Sequence, residues 1–187
     1  MVLKERYEIR WHGRGGQGAV TAAVLVAEAA IIDGHYAQSY PEFGAERRGA
    51  PVKAYTKVSL SPIYSRSPIL KPDIVVVLDP SIDKSIYLEG LKDDGMIIIN
   101  SSKSDSEIKS MLGDRYKIAA IDATHIALDV LKAAIVNTAM VGALIKIVPL
   151  ATLESVEKAL HETFSKKVAD LNTQIVKRSY EMVRLIN

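Results

Sequence analysis

Apolar and polar residues alternate through Tyr7-Glu8-Ile9-Arg10-Trp11-His12, the period of a strand with one buried face. Residues 19–32 are alanine and aliphatics almost throughout, and Gly34 follows where a helix-ending glycine belongs. The order read from this start is strand, glycine-bearing loop, helix. Further on the apolar positions become continuous, in Ile74-Val75-Val76-Val77-Leu78, Ile97-Ile98-Ile99 and Lys117-Ile118-Ala119-Ala120-Ile121. Short unbroken runs suit central strands covered on both faces. Helix-like segments lie between them at 81–90 and 104–112, the second opening with the capping-box spacing Ser104-x-x-Glu107. This alternation predicts an α/β fold, a three-layer α/β/α sandwich with a mostly parallel central sheet, a glycine-rich loop after the first strand and a helical C-terminus. Alternation returns at 52–58, with Pro62 and Pro68 nearby, and predicts an antiparallel edge element. The apolar stretch 133–145 lies between Lys132 and Lys146 and contains Asn137. A membrane span needs ~20 apolar residues, so this stretch predicts a buried core helix. Near the end, Val168, Leu171, Ile175, Met182, Val183 and Ile186 fall largely on one helical stripe. With no repeat, low-complexity tract or linker, residues 1–187 are expected to form one domain.

Composition narrows the function classes. The formal net charge is only +2, so no basic field points to nucleic acid. Cysteine is absent, which excludes a disulfide, a thiolate nucleophile and a cysteine-held iron–sulfur cluster in this chain. His12, His35, His125 and His161 show no metal-ligand spacing, and no metal site is expected. The charged, alternating start predicts no leader, and the chain is expected to be cytoplasmic and not membrane-bound.

Two segments carry candidate chemistry. Gly13-Arg14-Gly15-Gly16-Gln17-Gly18 places Gly-x-Gly-x-x-Gly between a strand and a helix, where backbone N–H groups can face an anion. A dinucleotide site would want an apolar first strand and an acidic residue closing the second. Here the first strand carries Glu8, Arg10 and His12, and His35 to Ser39 ends without an acid. Three readings stay open: a dinucleotide module, a loop rich in glycine only for tight packing, and a site for another phosphate-bearing ligand or a partner's backbone. The second segment, 39–51, sets Arg47 beside Arg48 with Glu42 and Glu46 close by. It is either a self-satisfied surface ion cluster or an anion contact, and Pro41, Gly44, Gly49 and Pro51 give it an irregular path. A guanidinium on phosphate is worth roughly 1.5–3 kcal/mol against about 0.3–1 kcal/mol for a helix dipole, so the arginines would dominate. No residue reads as catalytic. Asp79 ends a central strand and reads as a structural cap, and Asn137 and Thr138 read as helix capping.

Together, the glycine segment from Trp11 to Gly18 and the stretch from Tyr40 to Pro51 resemble the gamma subunits of the pyruvate:ferredoxin oxidoreductases, in the 2-oxoacid:ferredoxin oxidoreductase family. The resemblance continues through 72–79, 121–124 and 137–143 and spans the whole chain, with Ala45 standing where many relatives carry proline. It implies one subunit of an enzyme that oxidatively decarboxylates pyruvate with coenzyme A to acetyl-CoA and CO₂, reversibly, and reduces ferredoxin. The resemblance places thiamine diphosphate, Mg and [4Fe-4S] clusters on companion alpha, beta and delta subunits. It suggests coenzyme A phosphates or partner-subunit contacts for Gly13, Arg14, Gly15, Gly16, Gln17, Gly18, Arg47 and Arg48. The competing expectation is a non-catalytic assembly subunit.

Overall fold

The computed structural model describes residues 4–42 and 49–186. Its elements in chain order are β1 (Arg6–Arg14), α1 (Ala19–Ile32), β2 (Tyr36–Pro41), β3 (Pro51–Ser59), β4 (Ile74–Val77), α2 (Lys84–Leu88) and β5 (Met96–Asn100). There follow α3 (Asp105–Leu112), β6 (Lys117–Ile121), α4 (Ala123–Leu131), α5 (Asn137–Ile147), α6 (Leu153–Thr163), α7 (Lys166–Met182) and β7 (Arg184–Ile186). The seven strands form one sheet in the order β2-β3-β1-β4-β5-β6-β7. The four strands β1, β4, β5 and β6 are parallel neighbours. β3 runs against β1, β2 against β3, and β7 against β6. β2, reversed twice, again runs with β1, so five of the seven strands share one direction.

The continuous aliphatic runs are the central strands, buried on both faces as their pattern demands. On one face Trp11, Val76, Ile98 and Ala119 meet α1, α4 and α5, with α6 and α7 packed outside. On the other, Val75, Val77, Ile97 and Ile99 meet the smaller cover of Tyr87, Ile108 and Leu112 from α2 and α3. The three layers are therefore unequal, one being two helices deep. The alanines of α1 let it approach the sheet closely: Thr56 Oγ1 donates to the Ala23 carbonyl at 2.9 Å and accepts from Trp11 Nε1 at 3.0 Å. The helix ends at Ile32, and Gly34 at φ +84° turns the chain back toward β2. Ser104 and Glu107 form the reciprocal capping box at the start of α3.

Four expectations change. β1 is buried on both faces at Arg10 and His12, because the end of α2 covers its polar side there. β3 is antiparallel but lies one place in from the edge, which β2 occupies. The helix-like 81–90 segment shrinks to Lys84–Leu88, starting where Asp83 caps the Ser85 N–H. The C-terminal stripe also divides. Ile186 leaves the helix for β7 and the opposite face, and Val168 and Met182 are exposed. The buried side of α7 is instead the small and polar set Ala169, Asn172, Thr173, Val176 and Ser179, with Ile175. The reason lies in α5, where a Cβ on Gly142 would press into Ser179 Oγ and the Val176 carbonyl. A helix approaching that closely leaves no room for large side chains. Gly142→Ala is accordingly expected to lower stability by roughly 1–3 kcal/mol in urea unfolding, and Ser179→Ala is not expected to restore it, since the carbonyl remains.

Candidate functional site

The parallel strands end together along one edge: the glycine loop after β1, Asp79 after β4, Asn100 and Ser101 after β5, and Asp122 after β6. From β1 the chain departs through α1 on one face, and from β4 through α2 on the other. The crevice between β1 and β4 is thus the point where an open α/β sheet presents its ligand-binding edge.

The glycine loop is held in one shape by its own side chains. Gln17 Oε1 accepts from the Arg14 N–H at 2.7 Å, and Gln17 Nε2 donates to Asp79 Oδ2 at 2.8 Å. Arg14 Nε lies 3.2 Å from the same carboxylate, while its two Nη atoms donate to Ser81 Oγ at 3.0 Å and the Gly49 carbonyl at 3.1 Å. Burial works to raise the Asp79 carboxyl, but the hydrogen bonds from Ser81 and Gln17 and the Arg14 charge prevail and hold it below the usual carboxylate range. Gly18, at φ +80°, directly precedes α1, and a Cβ there would lie 2.5 Å from Asn137 Nδ2. The first turn of α1 has neither a side-chain cap nor an acidic residue. In front of it lies a depression of about 340 Å³, lined by Arg14, Gly15, Gly16, Gly18 and the residues that open the helix. Unpaired N–H groups beside a guanidinium suit an anion.

The two sequence motifs meet here. The Gly15 N–H donates to the Ala50 carbonyl at 2.9 Å, and β2 and β3 form a hairpin whose last described pairing is Glu42 N–H to the Lys53 carbonyl. The expected contacts of Arg47 and Arg48 lie outside the described residues, as does Glu46. Glu42 bonds to the Tyr55 hydroxyl and stands 3.7 Å from Lys53 Nζ, so it is already engaged and unsuited to hold a ribose. Asn137 is the first residue of α5, with its Oδ1 on the Thr138 N–H; Thr138 Oγ1 donates to Asn172 Oδ1 at 2.8 Å. The capping expected of this pair is not what they do: Val136 occupies the N-cap position and no side chain caps the helix, while Asn137 packs against Gly18 of the glycine loop instead.

Sequence reasoning missed the clamp made by Arg14, Gln17 and Asp79. The only signal was a strand-ending aspartate whose partners lie 62 residues earlier or more. It also missed the buried polar side of β1. Arg10 Nε donates to His12 Nε2 at 2.9 Å and Arg10 Nη2 donates to the Tyr87 and Glu89 carbonyls, where α2 ends. Burial, then the neighbouring Arg10 charge, push the His12 imidazole down to about 3.

A profile of the pyruvate ferredoxin/flavodoxin oxidoreductase family matches residues 8–182. The chain belongs to this family. Among its relatives, the "Pyruvate/ketoisovalerate oxidoreductases common subunit gamma" of Pyrococcus furiosus is 48% identical over 93% of this chain and 95% of its own length. "Pyruvate synthase subunit PorC" of Methanocaldococcus jannaschii is 48% identical over 95% of this chain and 97% of its own. The crystal structure of the pyruvate oxidoreductase subunit PORC from Thermotoga maritima superposes with a TM-score of 0.87 at 38% identity, covering 98% of this chain and all of the other. The family member described here thus shares both sequence and fold with gamma subunits along its length.

Two outcomes follow from this geometry. Gly18→Ala is expected to destabilise the fold, because it adds both left-handed strain and a clash with Asn137, and Gly16→Ala, where no atom lies within 4 Å, should cost less. Thermal unfolding of the two variants checks the order. His12 stays neutral in the fold down to about 3, whereas an unfolded imidazole protonates below about 6.5. Its contribution is present above pH 6.5 and is lost as pH falls through that window, at up to ~1.4 kcal/mol per pH unit. His12→Gln, compared with the unmodified chain in urea between pH 6.5 and 4, should show the shallower decline.

Proposed function

We propose that this chain is the gamma subunit of a cytoplasmic enzyme that oxidatively decarboxylates pyruvate with coenzyme A and reduces ferredoxin, acting as one gamma-type domain with alpha, beta and delta partners. The observation that carries the reading is the meeting of the glycine loop with Gly49 and Ala50, just before β3, at the carboxyl edge of the sheet, in a chain 48% identical to the relatives named above. Thiamine diphosphate, Mg and the [4Fe-4S] clusters belong on the partners; this chain has no cysteine to hold a cluster. The Pyrococcus furiosus relative is named as common to pyruvate and ketoisovalerate oxidoreductases, which supports a gamma chain that does not itself select the 2-oxo acid.

In this reading the loop takes part in admitting coenzyme A. The uncapped start of α1, beside Gly16, offers N–H groups to a phosphate, and Arg47 or Arg48 supplies the stronger charge-assisted bond. Arg14 holds the stem of the hairpin in place through the Gly49 carbonyl, a positioning role, since Asp79 already neutralises its guanidinium. One observation favours the assembly-subunit alternative: the loop is packed by its own Gln17 and by Asn137, as a purely structural turn would be.

Replacing Arg47 and Arg48 together by alanine in the reconstituted complex is expected to raise KM for coenzyme A by roughly 10- to 100-fold, with KM for pyruvate unchanged. An unaltered KM for coenzyme A in an intact complex refutes the coenzyme role. A complex that fails to assemble when the substituted chain is supplied supports the scaffold instead.

A further inference from the structure

The two edges of the sheet are built differently. β7 closes one side with only three residues, and its Arg184 donates to Asp105 Oδ1 at 2.7 Å and to the Lys103 carbonyl at 2.6 Å, so a fixed charge guards it. β2 closes the other side with six residues, Tyr36-Ala37-Gln38-Ser39-Tyr40-Pro41, none of them charged. Short length, charge and proline are the usual guards of a sheet edge against pairing with another strand. β2 has only the proline, at its last position. The surroundings are apolar as well. Ile31 and Ile32 at the end of α1, Tyr36 itself and Leu60 after β3 are exposed. So is Tyr64, next to the Ile63 carbonyl that accepts from Gln38 Nε2 at 2.8 Å.

The register fixes which main-chain groups this edge presents. The Glu42 N–H donates to the Lys53 carbonyl at 3.0 Å, and the same register pairs Tyr40 with Tyr55, Gln38 with Lys57 and Tyr36 with Ser59. In an antiparallel ladder, hydrogen-bonded and non-hydrogen-bonded pairs alternate. Tyr36, Gln38 and Tyr40 therefore turn their N–H and C=O groups inward to β3, while Ala37, Ser39 and Pro41 turn theirs outward. Among the described residues nothing bonds the outward groups of Ala37 and Ser39. This stretch is closed at both ends: Pro41 has no N–H, and the His35 N–H donates to the Ala30 carbonyl at 3.0 Å. The remaining pair, Ala37 and Ser39, is symmetric about Gln38. A two-fold contact requires a self-complementary patch of this kind. A second β2 laid antiparallel alongside would set Ala37 of each copy against Ser39 of the other, with two main-chain bonds at each pair. Gln38 would then face its own copy, Tyr36 would face Tyr40, and no like charges would be opposed.

We propose that the β2 edge docks a second copy of this chain, by antiparallel pairing of β2 with β2 about a two-fold axis at Gln38. The symmetric spacing of the outward groups favours a copy over a foreign strand, which would have no need of it. Ile31, Tyr36 and Leu60 then add apolar area to the main-chain bonds. The contact uses neither the glycine loop nor the Arg14–Asp79 clamp, and it stands independently of the coenzyme reading above.

Because the chain has no cysteine, the register itself can be tested. Gln38→Cys puts a sole cysteine on the axis, where opposed residues stand roughly 4.5 Å apart at Cα, within disulfide reach. Tyr36→Cys faces Tyr40 in this register, so its own copy lies about 14 Å along the strand, beyond bridging. Under mild oxidation of the full chain, Gln38→Cys is expected to give covalent dimer and Tyr36→Cys to stay monomeric on a reducing-agent-free gel. Sedimentation of the unmodified chain should show a monomer–dimer equilibrium. Ala37→Pro removes an outward N–H and leaves the bonds to β3 intact, and it should raise the dimer dissociation constant roughly tenfold or more. An unmodified chain that stays monomeric, or equal cross-linking of the two cysteine variants, overturns the proposal. So does a dimer that a folded Ala37→Pro chain, checked by its melting temperature, forms as readily. If Ala37→Pro spares self-association yet lowers recovery of the reconstituted complex, the edge takes a companion subunit's strand, and the second copy is ruled out.

Discussion

The carboxylate of Asp79 joins the parts of this molecule that matter for its edge. It receives the Gln17 side chain, the Arg14 guanidinium and the Ser81 N–H. Through the first two the turn after β1 is fixed to the turn after β4, across the place where the sheet changes its direction of winding, and the third holds the carboxylate within its own turn. Arg14, oriented by that carboxylate, then reaches the Gly49 carbonyl and so fixes the hairpin between β2 and β3. A charge-assisted bond of this kind is worth about twice a neutral one. Removal of the acid would leave a half-buried guanidinium and would cut the glycine loop loose from the turn after β4.

The backbone geometry of the glycines answers to the same constraint. Gly18 leaves room for Asn137 at the start of α5, and Gly13 lies where a Cβ would come 3.2 Å from Gln17 Oε1. The loop is therefore built from both directions, by side chains that grip it and by the absence of side chains that would push it away. Gly142 repeats this at the far side of the thick layer, where α5 and α7 touch through small residues. Close approach of backbone, rather than bulk, sets the position of both helices.

Much of the fold was legible in the sequence because its signals are local. Val75, Ile98 and Ala120 sit in unbroken apolar runs, and such runs have few places to go but the middle of a covered sheet. Gly34 and the Ser104–Glu107 pair mark helix ends by short-range hydrogen bonding, and both lie where expected. What escaped was decided at long range. The alternation in β1 correctly gives two faces, but it carries no information that Arg10 and His12 would be roofed by a helix end, with Arg10 bonded to carbonyls 77 and 79 residues later. The stripe in α7 failed for a related reason: hydrophobic periodicity rewards large residues, and this interface selects small ones. The candidate site was legible as two motifs. Their meeting at Gly15 and Ala50 follows from strand order, which no local pattern encodes.

The buried polar side of β1 has an electrostatic effect beyond packing. Arg10 is 4% exposed and Lys57 is 3% exposed; among the described residues Arg10 is answered by an imidazole that stays neutral and by carbonyl dipoles, with no carboxylate in contact, and Lys57 has Glu8 at 4.0 Å. Mobile ions screen charges that they can surround, with a decay length near 8 Å at physiological ionic strength, and they cannot surround these. This half of the sheet therefore carries a standing positive potential that added salt weakens only partly, unlike the charge of exposed lysines such as Lys158 and Lys177. An anion drawn to this face would feel two layers of attraction, an outer one that concentrated salt removes and an inner one that survives it.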